Sequence, residues 1–248
     1  GGDGLMIEAF AKAGAVLGEE RYLQAAQNAA NFLSSEVRRE DGRLLHTWRG
    51  GEAKLDAYLD DYSYLANGLI SLYEATFAGR YLDEAQALLD TILERLRDDA
   101  DGGFYFTADD HEELIIRNKD LMDNAVPSGN AMAAVALLRL SLFTGEERYR
   151  HAALEALKAT ANIMRQYPSA AAQSLQAVDM VQGPSYELVL ALDMDAVAER
   201  QVLSKIQQRY LPNKVLAVVG PNTPTPPNTA EKLLEGKSRL GDALTLYI

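Results

Sequence analysis

The chain has 248 residues, no cysteine, three histidines and a formal charge of −12 from 24 basic and 36 acidic side chains. Lack of cysteine excludes disulfides, thiolate zinc sites, iron–sulfur clusters and cysteine nucleophiles, and three histidines are too few for a His-rich metal site. So acidic a chain is a poor match for nucleic acid or an anionic membrane surface, no apolar run reaches membrane-span length, and the N-terminus carries no signal-peptide pattern.

At roughly 150 residues per domain the length allows one or two domains. No metal or cofactor is expected, and the expected setting is cytoplasmic. The chain opens on Gly1 rather than Met, which fits a piece cut from a longer polypeptide.

The elements follow a repeat. A first helix is expected over Gly4–Leu17. Gly18 and Tyr22 then open a second, with apolar positions at Leu23, Ala26, Ala30, Leu33 and Val37. After a loop, Asp61–Phe77 is a third helix, and Gly79 and Tyr81 open a fourth with Leu82, Ala85, Leu89, Ile92 and Leu96. An insertion near 102–117 reads as a β-hairpin of Phe104–Thr107 and Leu114–Arg117. Asp98–Glu113 is acidic enough to raise calcium binding, but its spacing does not match an EF-hand loop, and a solvated loop is expected. Ser128–Phe143 is the next helix, and Gly145 and Tyr149 open its partner with Ala152, Ala156, Ala159 and Ile163.

Past Pro168 the pattern changes. Ser169–Met180 reads as a helix, Glu187–Leu192 as a strand, Val197–Tyr210 as an amphipathic helix and Lys214–Val219 as a second strand, a βαβ signature. A proline-rich loop over Gly220–Asn228 leads to a third strand candidate at Ala243–Ile248.

The paired helices differ in character. Asp61–Phe77 carries only Asp61 and Glu74 as charges, and Ser128–Phe143 only Arg139, whereas Tyr81–Arg97 has a charged face. A helix apolar nearly all round is buried, and one with a charged face lies outside. Each repeat is therefore an inner helix, a turn with glycine at the left-handed C-cap, and an outer helix. The fold class expected is mainly α: an incomplete (α/α)6 toroid over residues 1–182, with a small α/β appendage over 183–248.

Inner-helix starts would face the toroid's cavity mouth, so their polar residues are the candidates for chemistry. Asp60 and Asp61 are adjacent carboxyls whose repulsion raises one pKa toward general-acid use; capping a helix is the plainer role for one of them. His46 is a second proton-transfer candidate. Trp48 and Tyr62 offer rings for a sugar and Arg49 a bidentate donor. Asp123 is the candidate second carboxyl. Asn124, Ser128 and Asn130 would bind substrate, although Ser128 also suits an N-cap and the asparagines suit turns. Gly129 permits close approach of another group. His151 is expected on the surface and His111 in solvent.

The residues around Asp60–Ala66, Gly102–Thr107, Leu114–Asp120 and Pro127–Asn130, with Gly4–Ile7 and Leu211–Lys214, resemble the YyaL/spermatogenesis-associated protein 20 family across nearly the whole chain. The resemblance implies an (α/α)6 barrel similar to N-acylglucosamine epimerases and six-hairpin glycosidases, joined to an N-terminal thioredoxin-like domain. That domain, the first part of the barrel and the family's short cysteine-containing tail are missing from this sequence. The leading expectation is a carbohydrate-processing domain, hydrolase or epimerase-like, with a sugar or other small molecule in the cavity. The alternative is a non-catalytic binding or scaffold module serving the thioredoxin-like domain. Half a barrel exposes apolar inner faces, so the partners expected are the N-terminal half of the parent chain or a second copy, with no nucleic acid and no membrane.

Overall fold

The computed structural model describes residues 1–111 and 116–248. In chain order it contains helices α1 (Gly2–Leu17) and α2 (Glu20–Glu36), strands β1 (Leu45–Arg49) and β2 (Glu52–Asp56), and helices α3 (Leu59–Thr76), α4 (Gly79–Arg95), α5 (Gly129–Thr144), α6 (Glu147–Gln166) and α7 (Ala172–Gln182). The C-terminal part holds β3 (Tyr186–Ala191), α8 (Val197–Gln208), β4 (Lys214–Val219), the short α9 (Glu231–Leu234) and β5 (Thr245–Tyr247).

Helices α1, α3, α5 and α7 pack side by side as an inner row, and α2, α4 and α6 each return along the outside of the helix before them. The division follows composition. Between Leu59 and Tyr73 every residue of α3 except Asp60 is buried, and α5 is buried from Gly129 to Leu140. By contrast α4 buries only a stripe that includes Tyr81, Leu82, Ala85, Leu89 and Ile92, the pattern of a helix with one face on the core. Gly4 and Gly68 bring α1 and α3 into backbone contact. A Cβ on Gly4 would lie 2.5 Å from the Leu65 nitrogen, and one on Gly68 2.6 Å from the Gly4 carbonyl oxygen.

Gly18 and Gly145 cap their inner helices in the left-handed conformation, as expected. At the second hairpin the left-handed cap is Phe77 instead, with φ 59°. Gly79 answers a different need: its α-carbon packs against the chain at Pro226–Pro227, where a Cβ would come within 2.4 Å of the Pro227 nitrogen.

The expected hairpin near 102–117 is corrected in its first half. Phe104–Thr107 forms only a bridge from Phe104 to Arg97, because the Phe104 N–H and C=O are both engaged by the Asn130 carboxamide, at 2.7 and 2.9 Å. Residues 112–115 of its second half lie outside the described residues. Asp98 is taken up by the Lys119 ammonium and by the Ala100 and Asp101 amides, which hold its carboxyl well below the usual range.

In the C-terminal part β3 is central. It runs parallel to β4 across a crossover that includes α8, and antiparallel to β5. Leu188–Ala191 and Val215–Val218 are buried, as befits a sheet covered on both faces. β4 packs on α3 and α5, and α8 on α1. The sheet thus sits at the C-terminal ends of α3 and α5, leaving their N-terminal ends at the opposite end of the arc.

One polar cluster crosses these layers. Arg139 of α5, 8% exposed, donates to the Asn67 Oδ1 at 2.8 Å, to the Ser71 Oγ at 3.0 Å and to the Glu74 carboxylate, all on α3. The other oxygen of Glu74 accepts from the Leu216 N–H of β4 at 2.7 Å. Removing one member of a buried ion pair leaves the other uncompensated, at about 3–5 kcal/mol. Urea unfolding of Arg139→Met should show a loss of that order, and adding Glu74→Gln should restore at least half of it.

Candidate active site

The loop holding His46 and Trp48 proves to be a two-stranded ribbon. Gly50 and Gly51 have φ of 63° and 82°, the conformation a two-residue type I′ turn requires, and Arg49 pairs with Glu52 across it. Alternation along β1 puts His46 and Trp48 on one face. The ribbon lies against the helical arc because Leu45 N–H donates to the Val37 carbonyl at 2.9 Å and Leu44 N–H to the Tyr62 hydroxyl at 3.1 Å.

At the start of α3, Asp61 stands three residues after Tyr58, and its Oδ2 accepts from the Tyr58 N–H at 2.9 Å. Asp61 therefore helps cap the helix from inside its first turn. The same oxygen is 2.7 Å from the His46 Nδ1. The shared oxygen joins helix start, ribbon and imidazole in one arrangement, and among the described residues the His46 Nε2 has no hydrogen-bond partner. Asp61, His46 and Trp48 line a pocket of about 70 Å³ together with Gly4, Phe32 and Leu65. Phe32 meets the Trp48 ring edge-on at 5.3 Å. Trp48 is 39% exposed, so part of its indole surface is open.

Asp60 points the other way, toward α5. A Cβ on Gly129 would fall 2.3 Å from its Oδ1, so the missing side chain is what admits this carboxyl. Among the described residues no hydrogen bond of good geometry reaches the sealed Oδ1. Burial, with the Asp120 and Asp61 charges nearby, pushes the Asp60 carboxyl up to about 6; the Gly129 N–H offsets part of this. Burial and the surrounding carboxylates, Asp60 first among them, also push the Tyr64 phenol up.

The remaining candidates are placed differently. Both oxygens of Asp123 accept backbone N–H groups, from Ser128 and from Gln173 at the start of α7, each at 2.9 Å. Asn130 uses its oxygen and nitrogen on Phe104 and Asp120 backbone groups. The Ser128 Oγ caps α5 by accepting from the Ala131 N–H at 3.1 Å. Tyr62 is 1% exposed and faces the Leu44 backbone rather than the pocket. Arg49 and Asn124 are exposed and do not line it. His151 is exposed on α6, while His111 is half-buried beside Tyr58, with ring centroids 5.5 Å apart. Among the described residues no group of three or more His, Asp or Glu side chains is placed to hold a metal ion.

Tyr58 itself was not singled out by the sequence. It stacks on Phe106 at 4.6 Å and meets His46 edge-on at 4.8 Å, forming the aromatic wall beside the imidazole. The Gly50-Gly51 pair was the available signal for the ribbon; Phe32, at the far end of α2, had none.

No family model matches the sequence. Against curated proteins it is 32% identical over 257 aligned residues to human spermatogenesis-associated protein 20, covering 99% of this chain, and equally identical to the rat protein. The chain is homologous to spermatogenesis-associated protein 20. It spans about a third of the length of these relatives, 33% of the human protein. An uncharacterised Caenorhabditis elegans protein is 25% identical over 217 residues.

Solved structures similar to this chain include cellobiose 2-epimerases from Bacillus thermoamylovorans (TM-score 0.53, 17% identity) and Spirochaeta thermophila (0.51, 21%). Each match covers 66% of this chain, and 43% and 42% of the epimerase chains. A family 105 glycoside hydrolase from C. acetobutylicum gives 0.50 at 18% identity, over 66% of this chain and 48% of its own. The arc of hairpins is thus part of an (α/α)6 toroid, the fold shared by these carbohydrate-processing enzymes. Among the described residues no helix is long and apolar enough to cross a membrane.

A carboxyl whose pKa is raised on folding holds its proton more tightly in the folded state, so the stability it contributes is present at low pH and lost as pH rises. For Asp60 that loss runs from the ordinary 3.8 up to about 6. Thermal melts of Asp60→Asn between pH 4 and 8 should show a Tm above that of the parent at pH 8. The difference should close toward pH 4.

Proposed function

We propose that this region is the catalytic part of a carbohydrate-processing protein, and that its chemistry is proton transfer at a carbon next to a sugar carbonyl. The observation that carries the reading is the Asp61 Oδ2–His46 Nδ1 hydrogen bond of 2.7 Å beside the partly open Trp48. A carboxylate on Nδ1 fixes the tautomer and leaves Nε2 as the base. The likeness in fold to sugar epimerases supports the substrate class.

The sugar lies across the pocket mouth against Trp48 and, in its open-chain form, presents its carbonyl end to His46. The His46 Nε2 removes the proton on the carbon next to the carbonyl. The C–H electron pair forms the enediolate, whose negative charge rests on the carbonyl oxygen. Return of a proton to the same carbon from the opposite face gives the epimer. The returning proton comes from solvent water at the open mouth of the pocket, because Asp60 faces α5 and does not line it. Glycoside hydrolysis fits less well. An inverting hydrolase needs two free carboxyls about 6.5–9.5 Å apart, and backbone amides occupy both oxygens of Asp123.

The complete gene product should be incubated with reducing sugars and glycosides in D2O and followed by NMR. Deuterium at the carbon next to the carbonyl is the expected result, with the rate lowered about 10²–10⁴-fold by His46→Gln and less by Asp61→Asn. New reducing ends without carbon-bound deuterium would replace this reaction with hydrolysis. Neither turnover nor sugar-dependent thermal stabilisation would leave the non-catalytic binding module as the better reading.

A further inference from the structure

His46 needs more than one hydrogen bond to act as an oriented base. Its side chain is 35% exposed and sits on a two-stranded ribbon, which by itself is marginally stable. Neither burial nor a broad sheet therefore fixes its rotamer. The Asp61 Oδ2 holds the Nδ1 at 2.7 Å, but a single hydrogen bond leaves an imidazole free to turn about the line between the bonded atoms.

Tyr58 supplies the second hold, and it does so with both backbone and side chain. Its N–H donates to the same Asp61 Oδ2 at 2.9 Å, which sets where the acceptor stands. Its ring meets the imidazole at 4.8 Å between centroids and 70° between planes, the edge-to-face arrangement that aromatic pairs favour. Carboxylate and ring together are satisfied by one orientation of the imidazole. Tyr58 does not line the pocket, so its contact is with His46 and not with a substrate there.

The Tyr58 ring has support of its own. Tyr58 precedes α3 in extended conformation, with φ −94° and ψ 171°, and Phe106 lies against its face at 4.6 Å and 11°. Phe106 is fixed in turn by its backbone. Its carbonyl accepts from the Leu59 N–H at 2.9 Å, and its N–H donates to the Asn118 carbonyl at 2.7 Å. Farther along the same segment the Asp110 carboxylate accepts from both terminal nitrogens of the Arg43 guanidinium, and Arg43 stands three residues before His46. The segment from Phe106 to Asp110 thus braces the Tyr58 ring and is tied to the approach of the ribbon.

We infer that Tyr58, braced by Phe106, is the positioning residue for the His46 base. The inference rests on the proton-transfer reading of this site. Its content is that the ring of Tyr58, not the hydroxyl, keeps the imidazole in the Nδ1–H tautomer on Asp61 with Nε2 turned to the pocket. Phenylalanine at position 58 keeps that hold, and an aliphatic side chain loses it.

The test uses the complete gene product with 15N in its histidine side chains, followed by NMR at alkaline pH. The His46 signals are those lost in His46→Gln. The parent and Tyr58→Phe should show His46 as one species with its proton on Nδ1. Tyr58→Leu should lower that species about twofold or more, in favour of one with the proton on Nε2. No sugar enters this measurement, so it decides the positioning role even where the parent turns over no sugar and the proton-transfer reading fails. Phe106→Leu leaves Tyr58 in place, and it should move the His46 signals in the same direction, which guards against a Tyr58→Leu chain that does not fold. With a sugar that the parent turns over, Tyr58→Leu should lower kcat about tenfold or more with KM little changed, while Tyr58→Phe matches the parent. A parent that shows mixed tautomers at His46 would overturn the inference. So would His46 signals unmoved in both leucine variants, or a loss in Tyr58→Phe equal to that in Tyr58→Leu.

Discussion

The contact on which the rest depends is the buried pairing of Arg139 with Glu74. Inner helices apolar on all sides can slide or rotate against one another at small cost, because apolar contact is non-directional. Arg139 removes that freedom. Its guanidinium addresses Asn67, Ser71 and Glu74, which share one face of α3 across two turns. A buried ion pair is weak evidence for net stability, but it penalises any register that separates its charges. Glu74 also accepts from the Leu216 amide, so the same pair seats the C-terminal sheet.

That register has a consequence at the other end of the same helices. With α3 and α5 held in place, Asp60 meets the gap left by Gly129, and Asp61 faces α1 and the β1–β2 ribbon. Two carboxyls adjacent in sequence thereby enter different environments. One, half-buried with one oxygen shut against Gly129, has its pKa pushed up to about 6; the other is engaged by a backbone amide and an imidazole. The separation comes from the angle of about 100° between successive residues on a helix and from what each direction meets. Repulsion between the two carboxyls contributes to the Asp60 shift, but burial contributes more.

The polar residues around Pro127 serve mainly as joinery. Asp123 ties the start of α7 to the approach of α5, and Asn130 substitutes for a partner strand along Phe104. Such groups are conspicuous in a sequence because polar residues near a buried helix are costly unless hydrogen-bonded. Their bonds here run to backbone atoms of the same chain, which accounts for their burial without a ligand. A polar residue at the entry to an inner helix is therefore ambiguous until its partners are known. Among the described residues His46 keeps an uncommitted nitrogen at the pocket; Asn130 does not.

The sequence by itself determined the inner and outer helices, the strand–helix–strand close of the chain and the exclusion of cysteine chemistry. These follow from local periodicity and composition, which a single helix or strand expresses along its own length. Glycine was legible as a need but not in kind, since Gly18 supplies a left-handed cap and Gly79 supplies room. The Gly50-Gly51 ribbon was legible in principle. Only the tertiary structure decided that His46 meets Asp61, that Tyr62 turns into the core, and that the repeated tyrosine reaches a helix 50 or 59 residues earlier. Those contacts depend on the packing of whole helices, so nothing in the neighbouring sequence of either partner specifies them.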